Sequence, residues 1–228
     1  RRRAWYRDYV DTQIQRDVRD LTRIHSLDAL PKLLALAAAQ TARLVNVADL
    51  AAPFEITRQT IHEYVTLLER VFLLERLSSW HTNRLSRLVK RPKLHMGDTG
   101  VACSLLGIDA MELDRDRQLL GSMLETFVLQ ELRRQASWRP EPLSFFHFRD
   151  RDDFEVDIVL EQGHSAIAGV EVKAAATAGE ADFRGLRKLR DAAGQRFVAG
   201  VVLYDGSATV DFRDGLFAVP VRRLWETP

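Results

Sequence analysis

Two short alternating runs, separated by a glycine turn, constrain the fold more than any other part of this 228-residue sequence. In residues 154–161, Val156, Ile158 and Leu160 alternate with Glu155, Asp157, Val159 and Glu161. Gln162, Gly163 and His164 make the turn, and residues 167–173 then set Val170 and Val172 against Glu171 and Lys173. A period of two is the strand signature, and two such runs across a short turn predict an antiparallel hairpin. Upstream, Leu119, Leu120, Met123, Leu124, Phe127, Val128 and Leu132 mark a helix that carries Glu125 and Glu131. A β-prone run (143–148) and a charged turn (149–153) separate that helix from the hairpin. A helix around 181–193 and an apolar strand at 197–204 complete an αβββαβ order, which belongs to the α/β class.

The hairpin brings chemistry with it. Asp157 on one strand and Glu171 on its neighbour can meet at one edge and form a hard oxygen site suited to Mg²⁺ or Mn²⁺. The backbone carbonyl of Val172 lies between Glu171 and Lys173 and is a candidate further ligand. Lys173, two residues beyond Glu171, shares its side of the strand, where an ammonium can orient a water or stabilise charge developing on a phosphate. Glu125, from the preceding helix, can hold a second ion or orient metal-bound water. The plain alternative is a set of surface charges forming cross-strand ion pairs.

Charge is divided unevenly. Up to Gly100 there are 17 Lys and Arg against 11 Asp and Glu, and after it 16 against 21. A basic first part suits a polyanion, and an acidic second part suits a cation. The first part is helical by pattern. Tyr6, Tyr9, Val10, Ile14, Val18 and Leu21 recur every three to four positions over 5–25, and Ser26 and Asp28 offer caps for a second helix through Leu30, Leu33, Leu34 and Leu36.

Residues 46–77 then read as a helix-turn-helix. Asn46 opens a short helix closed by Pro53, residues 54–56 turn, and Thr57 caps a longer helix with Ile61, Val65, Leu68 and Phe72 on its buried stripe. Arg58, Gln59 and His62 stand near the exposed start of that helix, the position from which a recognition helix reads a groove. Strands at 73–80 and 93–96 flank residues 81–91, a loop whose Arg84, Arg87, Lys90 and Arg91 suit the wing of a winged helix and can each neutralise a phosphate. Such modules equally dock on proteins, and Glu55, Glu63 and Glu69 oppose phosphate contact. The expected division is residues 1–100, a connector at 101–118 with a polar stretch from Asp109 to Gln118, and residues 119–228.

Composition narrows the classes. The single Cys103 leaves no internal disulfide or cysteine zinc cluster, and the six histidines are not spaced as ligands. No apolar run reaches the ~18 residues of a membrane crossing, and no signal segment is evident, so a cytoplasmic protein without membrane contact is expected.

The residues Glu125, Glu155-Val-Asp157 and Glu171-Val-Lys173, in those elements, resemble the PD-(D/E)xK nuclease superfamily. The superfamily's proline before the aspartate is replaced by Val156. A wider set comprises Trp5-Tyr-x-x-Tyr9, Gln15-Arg-Asp17-Val, Asn46-x-x-x-Leu50-Ala, Thr60-x-x-x-Tyr64, Lys90-x-Pro92-Lys-Leu and Asp98-Thr-Gly100. Together with the acidic and lysine set, it resembles bacterial and archaeal ATP-binding proteins in which an N-terminal AAA ATPase module precedes a C-terminal domain of unknown function. The resemblance implies a winged-helix module followed by a restriction-endonuclease-like mixed sheet flanked by helices. It also implies Mg²⁺ or Mn²⁺ at the carboxylates, DNA as partner, and ATP bound only through an upstream module, since this sequence has no Gly-x-x-x-x-Gly-Lys-[Ser/Thr]. Two functional readings follow: a metal-dependent nuclease, or a non-catalytic DNA-binding or protein-interaction module on the same fold. A second copy of the chain is a further candidate partner.

Overall fold

A computed structural model describes residues 2–18, 29–54 and 57–226. In chain order the elements are α1 (Arg2–Thr12) with a π-helical extension (Gln13–Val18), α2 (Ala29–Ala39), β1 (Arg43–Leu44), α3 (Val47–Ala51), α4 (Arg58–Arg70), β2 (Leu74–Leu77), α5 (Arg84–Val89) and β3 (Lys93–Met96). There follow α6 (Thr99–Leu106), α7 (Ala110–Arg115), α8 (Arg117–Ala136), β4 (Ser144–Arg149), β5 (Glu155–Gln162), β6 (Ala166–Lys173), α9 (Arg184–Ala193), β7 (Phe197–Tyr204), β8 (Val210–Asp211) and β9 (Leu216–Pro220). They divide into two compact units, Arg1–Arg76 with Lys93–Thr126, and Leu77–Pro92 with Phe127–Pro228.

The first unit surrounds a three-stranded sheet of order β1-β3-β2 with helices. Its core takes Leu30, Leu33 and Leu34 from α2, Ile61 and Leu68 from α4, and Val101 and Ala102 from α6. Local chemistry sets the helix starts. Thr57 Oγ1 accepts the Thr60 N–H at 3.1 Å, and Asp98 Oδ1 accepts the Val101 N–H at 2.9 Å. Gly100 has a packing reason: a Cβ there would lie 2.2 Å from the Tyr6 hydroxyl, so the Trp5-Tyr6 and Asp98-Thr-Gly100 segments close on one another. Trp5 in turn stacks on Tyr9, ring centroids 5.5 Å apart.

The second unit is a six-stranded mixed sheet of order β4-β5-β6-β7-β9-β8. β4, β5 and β6 pair antiparallel, whereas β6, β7 and β9 run parallel. Phe183, Leu186 and Leu189, at and beyond the start of α9, share one core with Val156, Val159, Ile167, Val202 and Leu216 of the sheet. The contact is backbone-tight, for a Cβ on Gly185 would fall 1.8 Å from the Glu155 carbonyl oxygen.

Several expectations change. The two compact units do not follow the expected segments: the change of unit falls inside α8, after Thr126, and Leu77–Pro92 groups with the six-stranded sheet. The connector is helical, because Asp109 and Glu112 form a reciprocal capping box at the start of α7. The loop read as a wing contains α5, begun by Asn83 Oδ1 accepting the Leu85 N–H at 3.0 Å. Alternation breaks within β5, where a bulge opposite Phe146 to Phe148 turns Val156 to the same core as Val159. Strands β8 and β9 extend the sheet beyond the αβββαβ order. The caps at Ser26 and Asp28, and Glu55 and Ile56 of the helix-turn-helix, lie outside the described residues.

Candidate functional site

The β5–β6 register pairs Ile158 with Val170, so Asp157 and Glu171 are the next residues along the two neighbouring strands. Asp157 is buried, and its Oδ2 accepts the Val172 backbone N–H at 2.9 Å. Lys173 Nζ lies 2.9 Å from Glu171 Oε1, with the lysine side chain about one-third exposed (35%) and the glutamate side chain largely covered. Burial works to lower the pKa of the Lys173 ammonium. Glu171 beside it, with Asp157 and Asp182 further off, overrides that effect, and the lysine stands above its usual value. Three of the sequence-predicted residues, Asp157, Glu171 and Lys173, therefore form one electrostatic group at the end of a strand pair, with the Val172 backbone between them.

Glu125 has a different partner. It lies in the first unit, where Lys93 Nζ donates to its Oε1 at 2.8 Å and His95 Nε2 is 3.9 Å away. Both members of the Lys93–Glu125 pair are buried, as are His95, Thr126 and Thr41 around it. His95 Nδ1 meets Thr126 Oγ1 at 3.1 Å, Thr126 Oγ1 meets Thr41 Oγ1 at 2.8 Å, and Thr41 Oγ1 accepts the Met96 N–H at 3.0 Å. The carboxylate assigned to a second ion is thus ion-paired with a buried lysine beside this polar chain.

The two donors of a metal pair fit a hard divalent cation by type, since they are adjacent carboxylates beside a backbone carbonyl. No group of three His, Cys, Asp or Glu able to hold a metal occurs among the described residues. Water and substrate oxygens would have to complete such a shell.

The residues predicted to contact nucleic acid separate into two sets. Arg58, Gln59 and His62 are exposed on the first turns of α4, as expected. The supposed wing cations do not share one role. Arg87 is directed at the sheet: its terminal nitrogens reach Glu161 Oε2 at 2.5 Å and Oε1 at 3.2 Å, and its Nε donates to the His81 carbonyl at 2.7 Å. The same guanidinium lies over the rings of Phe146 and Trp80, 4.8 and 5.5 Å from their centroids. Lys90 Nζ donates to the Arg149 carbonyl at 3.2 Å. Arg91 is exposed, and its carbonyl accepts from His147 Nε2 at 3.1 Å. Arg84 begins α5, and its side chain is outside the described set.

Glu161, which alternation placed on the face of Glu155, Asp157 and Val159 without a role, is part of the buried sheet unit. It is buried and receives Arg87 and Arg196 together. Burial disfavours its ionised form, yet the hydrogen bonds from the two arginines hold its carboxyl below the usual carboxylate range. The available signal was its place on the face of Val159, a core position.

Comparison with known proteins divides the sequence between residues 112 and 120. A family model for a domain of unknown function (DUF8612) matches residues 1–112, and one for a domain of unknown function (DUF4143) matches residues 120–224. The uncharacterized proteins Mb2031c of Mycobacterium bovis and Rv2008c of Mycobacterium tuberculosis are each 27% identical over 98% of this chain and 49% of their own length. The chain therefore spans about half the length of the curated relatives it matches. Among solved structures, a half-complex of Thermococcus gammatolerans McrB AAA+ hexamers with bound McrC is 11% identical over 85% of this chain and 71% of that one, with a TM-score of 0.32. A likeness of that size carries no weight for fold or partner. No helix among the described residues is long and apolar enough to cross a membrane.

Proposed function

We propose that the second unit is a PD-(D/E)xK-type phosphodiesterase acting on DNA with Mg²⁺ or Mn²⁺. The observation that carries this reading is the adjacency of Asp157 and Glu171 on paired strands, with Lys173 joined to the same group. Asp157, Glu171 and the Val172 carbonyl would hold the cation, which when bound supplies a water of lowered pKa and neutralises phosphate charge. The Val172 N–H fixes the Asp157 carboxylate, so this ligand is oriented before any cation arrives. Lys173, kept protonated by Glu171, is suited to hold a phosphate oxygen or the attacking water by hydrogen bonding. Glu125 is left out of this set because Lys93 holds it.

The first unit we read as a winged helix. Support comes from the order α2, β1, α3, α4, β2, β3, with α5 inserted between the last two strands, and from the sheet order β1-β3-β2, with Arg58, Gln59 and His62 exposed on α4. In the whole protein both units would act with an upstream AAA ATPase module, which alone would bind ATP. A second reading, a non-catalytic platform for DNA or protein, is favoured by one observation: the donor set stops at two carboxylates, one of them already paired with Lys173.

Incubating the chain with Mn²⁺ or Mg²⁺ and labelled single-stranded, duplex and branched DNA tests the proposal. Metal-dependent cleavage that disappears in Asp157→Asn and Lys173→Ala, at unchanged unfolding midpoint, is expected. Cleavage that persists in both variants, or none from the wild type even when the full-length protein is given ATP, rejects the nuclease in favour of the platform.

A further inference from the structure

A second feature of the sheet unit, not used by the carboxylate group, is a cavity of about 440 Å³ lined by Trp80, His81, Lys90, Arg149, Arg151 and Lys188, among others. Its size suits a ligand such as one nucleotide rather than a bare ion. Four cations line it against a single carboxylate, that of Asp150. That carboxylate is engaged in building the β4–β5 turn, where its Oδ1 accepts the N–H groups of Asp152 and Phe154, each at 2.9 Å. Arg151, next in that turn, is exposed and lines the cavity. Lys188 approaches Asp152 only at 3.9 Å, with both side chains well exposed, a pairing of little strength.

The floor is of another kind. Trp80 and Phe148 are buried side chains with tilted rings, centroids 6.1 Å apart, and they give the cavity an apolar base under a basic rim. The Trp80 Nε1–H is buried, with no hydrogen-bond partner among the described residues. His81 Nδ1 accepts the Asn83 N–H at 3.1 Å, which leaves the proton of the neutral ring on Nε2. Burial lowers the pKa of this imidazole, and Lys90, Arg151 and Arg87 lower it further, so the field at the rim is positive. An apolar base with a cationic rim is the lining a phosphorylated sugar or base requires.

We propose that this cavity binds a nucleotide through its phosphate, with Arg151 and Lys188 on the phosphate and the attached sugar or base on the Trp80–Phe148 floor. The identity of the ligand rests on the phosphodiesterase reading, and Arg151 lies in the turn leading into β5, the strand of Asp157. A free nucleotide and one unit of a DNA strand offer the same chemistry to this site.

The test is titration calorimetry of the chain in EDTA, so that binding is scored without cleavage. The probes are thymidine 5′-monophosphate and a twelve-residue oligothymidylate at about 0.1 M salt, where phosphate contacts are strong enough to read. Wild type is expected to bind at least one probe, and Arg151→Glu with Lys188→Glu to weaken it by about tenfold or more. Arg117→Glu, an exposed reversal in the other unit, is expected to leave that affinity unchanged. Both altered cavity residues are solvent-accessible, and an unchanged unfolding midpoint verifies that the fold is kept. Oligothymidylate binding that the mononucleotide displaces supports a strand unit as ligand, and mononucleotide binding alone supports a free nucleotide. Failure of both probes, or equal affinity in the double variant, overturns the proposal, whereas binding by a chain that never cleaves removes only the nuclease.

Discussion

The Val172 N–H donates to Asp157 Oδ2 across 2.9 Å, so the backbone of the strand bearing Glu171 and Lys173 orients the carboxylate on its neighbour. This bond gives Asp157 a structural share that can be separated from any catalytic one. Asp157→Asn keeps an acceptor for the buried N–H and loses the charge, whereas Asp157→Ala leaves the N–H unsatisfied at a cost of about 1–3 kcal/mol. Both variants are expected to lose cleavage, and only the alanine to lose that stability. Urea unfolding of the two side by side measures the difference, and equal midpoints would show that the bond contributes nothing.

Glu171 is the strongest influence raising the pKa of Lys173, ahead of Asp157 and Asp182. A raised folded-state pKa means stability that is fully present below the unfolded lysine value and is lost as pH climbs through the folded one. The stability difference between wild type and Glu171→Gln is therefore expected to hold from neutral pH to about 10 and to fade above that. Lysine side-chain NMR should place the Lys173 titration lower in Glu171→Gln than in wild type. A Lys173 titration that does not move would mean the contact has no electrostatic consequence.

How legible the molecule was depended on how local each cause is. Thr57 was recognisable as a cap because a cap acts within three residues, and the β5–β6 hairpin because a period of two and a glycine turn are adjacent in the chain. The neighbourhood of Asp157, Glu171 and Lys173 followed from that hairpin alone. Arg87 was misread as a wing cation because its partner, Glu161, is 74 positions away, and nothing near Arg87 reveals that a buried acid awaits it. Lys93 was unreadable for the same reason: a lysine in a strand looks exposed until Glu125 arrives from a helix 32 residues later. Arg149, Arg151 and Lys188 were visible only as scattered charges, since the cavity they rim is assembled from a segment before α5, a strand turn and α9.

Arg87 and Arg196 hold the Glu161 carboxyl below its usual range, and the acid branch of stability should register it. A depressed folded-state pKa gives stability that is present above the unfolded carboxylate value and is lost as pH falls through the folded one. Chemical unfolding of wild type and Glu161→Gln is expected to differ most at neutral pH and to converge as the solution is acidified below about pH 4. Arg87→Lys should recover only part of the loss caused by Arg87→Ala, because an ammonium cannot reproduce the two-pronged contact or lie flat over Phe146. If Arg87→Ala instead weakens DNA binding without altering stability, the wing reading of this residue is restored.

Lys93 and Glu125 are both buried in the first unit, 2.8 Å apart, so removing one strands the other's charge. Glu125→Ala is expected to cost about 3–5 kcal/mol, more than a surface carboxylate could. Replacing both partners, Lys93→Met with Glu125→Leu, should return most of that stability, because the desolvation penalty of the pair disappears with it. The double variant also isolates function from folding. Where Glu125 serves only its buried pair, the refolded double variant cleaves as the wild type does. If it folds with a wild-type midpoint and has lost metal-dependent cleavage, Glu125 has a share in catalysis beyond its buried pair.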